Sequence, residues 1–204
     1  MILIPYFWKM GKRKPLILVT NDDGITAKGI KSLVEVAKKF GDVVVVAPDS
    51  PQSGMGHAVT LTKPLRLEKQ AIFSDDVDAY HCSGTPVDCV KIAVDQVLHQ
   101  KPDLCLSGFN HGSNSSINII YSGTMSAAVE AALEDIPSIG FSLCDFDADA
   151  DFSGAMFFAE KIVAQVIEHG LAKSTLLNVN IPKLEKEEIK GIKICRQADA
   201  KWQE

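Results

Sequence analysis

One stretch constrains this chain more than any other: Leu16-Ile17-Leu18-Val19-Thr20-Asn21-Asp22-Asp23-Gly24. Four apolar residues run without a break towards two adjacent carboxylates. A short run that is apolar on both faces predicts a strand buried in a parallel sheet, because such a strand is covered on both sides. The polar residues then fall at its carboxyl end, where open α/β sheets bind their ligands. Two neighbouring Asp side chains repel each other, and burying either without a partner is costly. A bound cation answers both difficulties. Asp22, Asp23 and Gly24 are also good turn formers, so these nine positions alone leave a metal site and a plain turn both open.

The same pattern recurs along the chain. After Gly24, Ile30, Leu33, Val34 and Ala37 recur at helical spacing, then comes Phe40, and Gly41 stops the helix. A second buried strand over 43–46 ends at Ala47-Pro48, and strand, helix, strand in this order predicts a right-handed βαβ unit and a parallel sheet. A polar loop is expected over 49–56, then an extended excursion or hairpin over 58–67 interrupted by Pro64, an acidic loop over 75–78 and a short strand over 79–82. Ser83-Gly84-Thr85-Pro86 opens a helix, with Thr85 as N-cap and Pro86 at the first helical position; its core face is Val87, Val90, Val94, Val97 and Leu98. A strand over 104–106 runs into a third polar loop over 107–114. Ser122-Gly123-Thr124 precedes a helix carrying Met125, Val129, Ala132 and Leu133. A strand over 136–143, an acidic loop over 145–151, a long helix over 152–169 ended by Gly170, and strands over 176–181 and 192–195 complete the expected elements.

Composition narrows the partners. A chain of 204 residues holds one large α/β domain or two small ones. The net charge of -5 and the lack of a basic stripe argue against a nucleic acid polymer as partner. They do not argue against one small phosphate ligand, because a metal supplies local positive charge. Five cysteines, Cys82, Cys89, Cys105, Cys144 and Cys195, are odd in number and form no C-x-x-C. They are expected as buried thiols in a reducing compartment. The apolar run 1–8 precedes Lys9, Lys12, Arg13 and Lys14, the reverse of a secretory signal, and is too short to span a membrane. A cytoplasmic protein without a membrane partner is expected, its first residues a tail or a strap against a neighbouring subunit.

Three strand ends then bring Asp22 and Asp23, Ser53, and Asn110 to one crevice. Carboxylates, a hydroxyl and an amide oxygen suit a hard cation such as Mg²⁺, Mn²⁺ or Ca²⁺ rather than a thiolate-loving metal. Ser122-Gly123-Thr124 and Ser83-Gly84-Thr85 each place small hydroxyl residues and glycine at a helix start, where N–H groups and the helix dipole favour phosphate; ordinary N-capping explains the same residues. His57 and His111 lie in the polar loops, within reach of a leaving oxygen or a phosphate, or as bystanders. The chain has no G-x-x-x-x-G-K-[ST], no G-x-G-x-x-G after the first strand and no G-x-S-x-G elbow. The adjacent Asp pair also differs from the D-x-D that an aspartyl-nucleophile phosphatase places after its first strand.

Taken together, Thr20-Asn21-Asp22-Asp23-Gly24, Ala47-Pro48-Asp49 with Ser53 and Gly56-His57, Ser83-Gly84-Thr85-Pro86-Val87-Asp88-Cys89-Val90, Ser107-Gly108-Phe109-Asn110 and Tyr121-Ser122-Gly123-Thr124 resemble the survival protein SurE family of metal-dependent 5'/3'-nucleotidases. The resemblance runs over 16–204, leaving 1–15 as an N-terminal extension longer than the family usually carries. It implies a Rossmann-like three-layer α/β/α sandwich with a mostly parallel central sheet and a β-hairpin excursion. It implies one divalent cation per subunit, Mg²⁺ or Mn²⁺, held by Asp22, Asp23, Ser53 and Asn110, with Asp22 and Asp23 also catalytic. Asn21, Gly108, Ser122, Gly123, Thr124 and His57 are the candidates for phosphate and substrate contacts. The implied activity is hydrolysis of nucleoside 5'- and 3'-monophosphates to nucleoside and phosphate, with broad acid phosphatase or exopolyphosphatase activity, or a non-catalytic nucleotide sensor, as alternatives. A homodimer or homotetramer is implied, and an extended hairpin and C-terminal helix beyond the last motif belong to the family pattern.

Overall fold

The computed structural model describes residues 13–198. A seven-stranded sheet runs β3-β4-β2-β1-β5-β6-β7, with β1 over Leu16–Thr20, β2 over Asp42–Pro48, β3 over Leu67–Gln70, β4 over Val77–Cys82, β5 over Leu104–His111, β6 over Ser138–Cys144 and β7 over Leu176–Pro182. All neighbours pair in parallel except β3 with β4. The helices are α1 over Lys28–Ala37, α2 over Pro86–Ile92, α3 over Asn118–Tyr121, α4 over Gly123–Leu133 and α5 over Ser153–His169.

The central strand shows why the chain forms three layers. Ile17 and Val19 face one apolar cluster, beneath α1 and α5, while Leu18 faces a second, beneath α2 and α4. A strand buried on both faces in this way holds its place only inside a parallel sheet with helices on either side. The chain winds outward from β1 through β2 to β4, then returns to place β5 on the other flank of β1. That reversal opens a crevice between the carboxyl ends of β1 and β5.

Several expectations change in detail. The polar run from Ser107 continues as strand through His111, with a register irregularity between Ser107 and Asn110 and a cis peptide bond at Gly108-Phe109. Polar side chains do not stop a strand whose backbone pairs with β6. The hairpin lies at β3 and β4 rather than over 58–67, and Val77 and Asp78 belong to β4 rather than to the acidic loop. The segment before β3 is irregular and is tied to α2 instead: Thr60 N–H donates to Asp88 and the Thr85 hydroxyl donates to the Ala58 carbonyl. Helix α2 widens into a π-helical turn over Ala93–Val97, which leaves Val94, Val97 and Leu98 only partly buried. Leu133 ends α4 at 70 % exposure rather than in the core. Residues 192–195 form no strand, because no described strand lies beside them, and Ile194 is 92 % exposed. Cys82, Cys89 and Cys105 are buried thiols, whereas Cys144 is half-buried and Cys195 exposed. The apolar run 1–8 lies outside the described residues. Among those described, no helix is long and apolar enough to cross a membrane.

Candidate active site

The crevice is built around Asp22, which is 4 % exposed at the end of β1. Helix α4 arrives end-on. Ser122 caps it by accepting the Met125 N–H at 3.0 Å, and Thr124 donates its hydroxyl to Asp22 Oδ1 at 2.5 Å. The approach is close enough to require glycine: a Cβ at Gly123 would stand 2.6 Å from Asp22 Cβ. Burial, and then the charge of Asp23, push the Asp22 carboxyl up to about 6, against the Thr124 hydrogen bond. Burial also raises the Asp23 carboxyl, opposed by the charge and backbone N–H of His111 at the end of β5.

Neither carboxylate has a lysine or arginine partner: among the described residues none forms an ion pair with Asp22 or Asp23. Unpartnered oxygen accumulates around them. Asp23 Oδ2, Asn21 Oδ1, Thr20 Oγ1 and Ser107 Oγ are all buried without a hydrogen-bond partner, and Thr20 and Ser107 are register partners across β1 and β5. Buried polar atoms are nearly always satisfied, so a group of four at one strand end marks a place where something else is meant to bind. These atoms fit a hard divalent cation: two carboxylates supply charge, and amide and hydroxyl oxygens supply neutral ligands. The arrangement has no third acidic, thiol or imidazole side chain to close the set; among the described residues no cluster of three such groups forms a metal site. Neutral oxygens, water and substrate would have to complete it, as is usual for Mg²⁺.

The other expected site residues fall around this pair in different ways. Asn21 is fully buried and donates Nδ2 to the Gly24 carbonyl at 2.9 Å, which braces the turn carrying both Asp residues. Asn110 donates Nδ2 to the Gly112 carbonyl at 2.9 Å, so its Oδ1 is the atom left to serve as a ligand. Ser53 lies exposed in the loop after β2, which is anchored on either side: Gln52 N–H donates to the Asp22 carbonyl at 2.7 Å and Gly56 N–H to the Tyr121 carbonyl at 3.1 Å. His57 Nε2 faces Glu130 Oε2 at 2.8 Å on the flank of α4. At α2 the capping box is complete, with the Asp88 carboxylate accepting Thr85 N–H at 2.9 Å and Thr85 accepting Asp88 N–H at 3.1 Å. A carboxylate of the chain thus occupies that helix start, and at α4 it is Asp22 that stands against the first turn, accepting from Thr124.

Sequence reasoning did not find the Thr124 to Asp22 bond, which joins residues 102 positions apart and carries no local signal. It also missed an amide network under the loop after β5. Asn180 Oδ1 accepts the Asn114 N–H at 2.8 Å, and Asn178 Nδ2 donates to the Asn114 carbonyl at 2.8 Å. Asn178 and Asn180 alternate along β7, and two Asn in an otherwise apolar strand were the available clue.

Fold and site define a class: a doubly wound α/β protein whose ligand crevice, at the point where strand order reverses, is anionic and built from oxygen donors. The family model described as "Survival protein SurE" matches residues 17–204. The chain is 64 % identical over 196 residues to "5'-nucleotidase SurE" of Christiangramia forsetii, covering 96 % of this chain and 75 % of that protein. It is 63 % identical over 191 residues to the protein of the same name from Flavobacterium psychrophilum, covering 94 % and 74 %. The crystal structure of the SurE protein from Aquifex aeolicus superposes with a TM-score of 0.81 at 44 % identity, covering 91 % of this chain and 73 % of that one. The chain belongs to the survival protein SurE family.

Proposed function

We propose that the protein is a divalent-cation-dependent phosphomonoesterase that hydrolyses nucleoside monophosphates to nucleoside and phosphate. The curated relatives carry the name 5'-nucleotidase at more than 60 % identity, which supports the substrate class. The observation that carries the chemistry is the buried Asp22 beside the half-buried Asp23, neither with a lysine or arginine partner among the described residues, at a strand end that also carries unsatisfied buried oxygens.

Asp22 and Asp23 would hold one Mg²⁺ or Mn²⁺ per subunit, with Ser53 and Asn110 completing the protein's share of the ligands. When bound, the cation supplies Lewis-acid polarisation of the phosphoryl group and water acidic enough to attack near neutral pH. The chain's own residues do the rest. Thr124 fixes Asp22 in one orientation. At the first turn of α4 the Met125 amide is taken by Ser122 and that of Thr124 by Asp22, which leaves the Gly123 amide and the helix dipole to favour the incoming phosphate. Asn21, through its unpartnered Oδ1, and Gly108, at the β5 irregularity, line the β1 and β5 side. Ser122 frames the opposite side at the start of α4, and His57 stands further along that flank. Asp22 and Asp23, the latter with His111 against it, are the carboxylates that would steer the attacking water. The buried thiols support a cytoplasmic setting, and exposed apolar side chains such as Leu61, at 87 % exposure, support a homodimer or homotetramer.

The test is phosphate release from a panel of nucleoside 5'- and 3'-monophosphates and short polyphosphate, with Mg²⁺ and with Mn²⁺. Hydrolysis of the nucleotides ahead of polyphosphate is expected. Equal turnover of every phosphate ester would indicate a broad phosphatase, and nucleotide binding without release a sensor; either contradicts the proposal.

A further inference from the structure

Most phenylalanines near the crevice belong to the core. Phe109 and Phe141 are fully buried, and Phe152 stacks on Phe109 with ring centroids 5.6 Å apart. Phe146 is different. It is 84 % exposed just past the end of β6, on a backbone that is held firmly on both sides. Asp145 is buried, its carboxylate meets Lys183 Nζ at 2.9 Å, and it accepts the Asp147 N–H at 3.1 Å. Asp147 in turn accepts the Asp149 N–H at 3.0 Å. The loop is therefore a series of short turns built by Asp side chains, with an aromatic ring presented outward between two of them.

That ring is also placed against the crevice. Gly112 N–H donates to the Leu143 carbonyl at 2.8 Å and to the Asp145 carbonyl at 3.0 Å, which draws the loops after β5 and β6 together. The Phe146 ring then rests on Gly112: a Cβ there would stand 2.3 Å from Cε1, and the backbone lies at φ +87°. Gly112 is the same residue whose carbonyl orients Asn110. A held, solvent-facing ring thus rests on Gly112, two residues along the chain from the proposed cation ligand Asn110, at the carboxyl ends of β5 and β6.

We propose that Phe146 is a specificity-determining residue, the surface on which the base of a nucleoside monophosphate stacks while its phosphate lies at the carboxylate pair and the start of α4. The inference rests on the nucleotidase reading of the site. A nucleobase has flat apolar faces, and every base can stack on an aromatic ring, so the contact selects for a nucleoside without choosing among bases. Because the loop is already ordered by its own hydrogen bonds, little freedom is lost when the base arrives. A ring exposed to this degree contributes little to the core.

The test compares kcat/KM for a nucleoside 5'-monophosphate with that for ribose 5-phosphate, which has the same phosphoester and sugar but no base, using Mn²⁺-loaded protein. In Phe146→Ala the ratio is expected to fall about tenfold, with the loss in KM for the nucleotide, and Phe146→Tyr is expected to restore it. An equal change on both substrates, no change, or a Tyr variant as impaired as the Ala variant overturns the stacking role. A changed molar mass with an unaltered ratio assigns the ring to a subunit contact and overturns it as well. Wild-type protein that turns over both substrates equally contradicts the stacking role alone. Wild-type protein that releases phosphate from neither contradicts the nucleotidase reading and the stacking role together.

Discussion

The two sides of the crevice are built to different standards. On the β1 and β5 side, Asn21 and Asp22 are buried, Thr124 and Gly123 hold α4 against Asp22, and Asn21 braces the turn that carries the acidic pair. On the β2 side, Ser53 is exposed in an irregular loop joined to the rest mainly through the backbone bonds of Gln52 and Gly56. Charge and rigidity are concentrated in one half, and the other half brings a neutral oxygen on a more adaptable segment. Residues on loops can adjust as substrate enters, whereas a buried carboxylate such as Asp22 has to be in place beforehand, because rearranging it would mean desolvating charge again.

The largest effect expected from breaking this asymmetry comes from the rigid side. Asp22→Asn or Asp23→Asn keeps shape and an oxygen but removes half of the anionic charge available to a cation. Turnover is expected to fall by at least about a hundredfold, with weaker Mn²⁺ binding in calorimetry and an unchanged fold by circular dichroism. Gly123→Ala comes next. Its Cβ would have to displace Asp22 or the start of α4, and a misplacement of that kind is expected to lower kcat by about tenfold or more, measured with Mn²⁺ in excess. Ser53→Ala removes the neutral oxygen proposed as a ligand on the β2 side, and Mn²⁺ affinity is expected to fall by less than about tenfold. If Ser53→Ala proves as damaging as Asp22→Asn, the contrast between the two sides is wrong.

How much of this could be read beforehand divides along the same line. Leu16 to Gly24 reveals the strand and the carboxylate pair beyond its end, because burial on two faces and a sudden pair of carboxylates are local properties of the chain. The cap of α2 was equally legible in Thr85, Pro86 and Asp88, whose bonds lie within one turn. Residues 107–111 looked like loop because their polarity reflects the site they line, while their backbone obeys the neighbouring strand. The apolar residues Ile192 and Ile194 looked like a strand, but a strand is defined by its partner. The bond from Thr124 to Asp22 was invisible for the same reason, since its partner lies 102 positions away in the sequence.

Acidity offers a smaller and independent probe of the rigid side. With burial and Asp23 holding the Asp22 carboxyl near 6 rather than at the ordinary 3.8, the folded cation-free chain binds more protons than the unfolded chain between those values. Its stability should then fall as pH rises through that interval and stay reduced above it. Asp22→Asn has no such proton to lose. In EDTA at pH 7 the variant is expected to melt several degrees above wild type, with the gap closing below about pH 4. Saturating Mn²⁺ is expected to reverse the order at pH 7, because the cation binds only the folded wild type strongly.

Asp22 and Asp23, which have no lysine or arginine partner among the described residues, are proposed to hold a cation that the reaction requires. Phosphate release from a nucleoside 5'-monophosphate by chelator-stripped protein, before and after addition of Mn²⁺, shows whether they do. No release is expected in EDTA, with recovery on adding Mn²⁺ to wild type and no comparable recovery in Asp22→Asn or Asp23→Asn. Full wild-type activity persisting in EDTA would contradict that role for the pair.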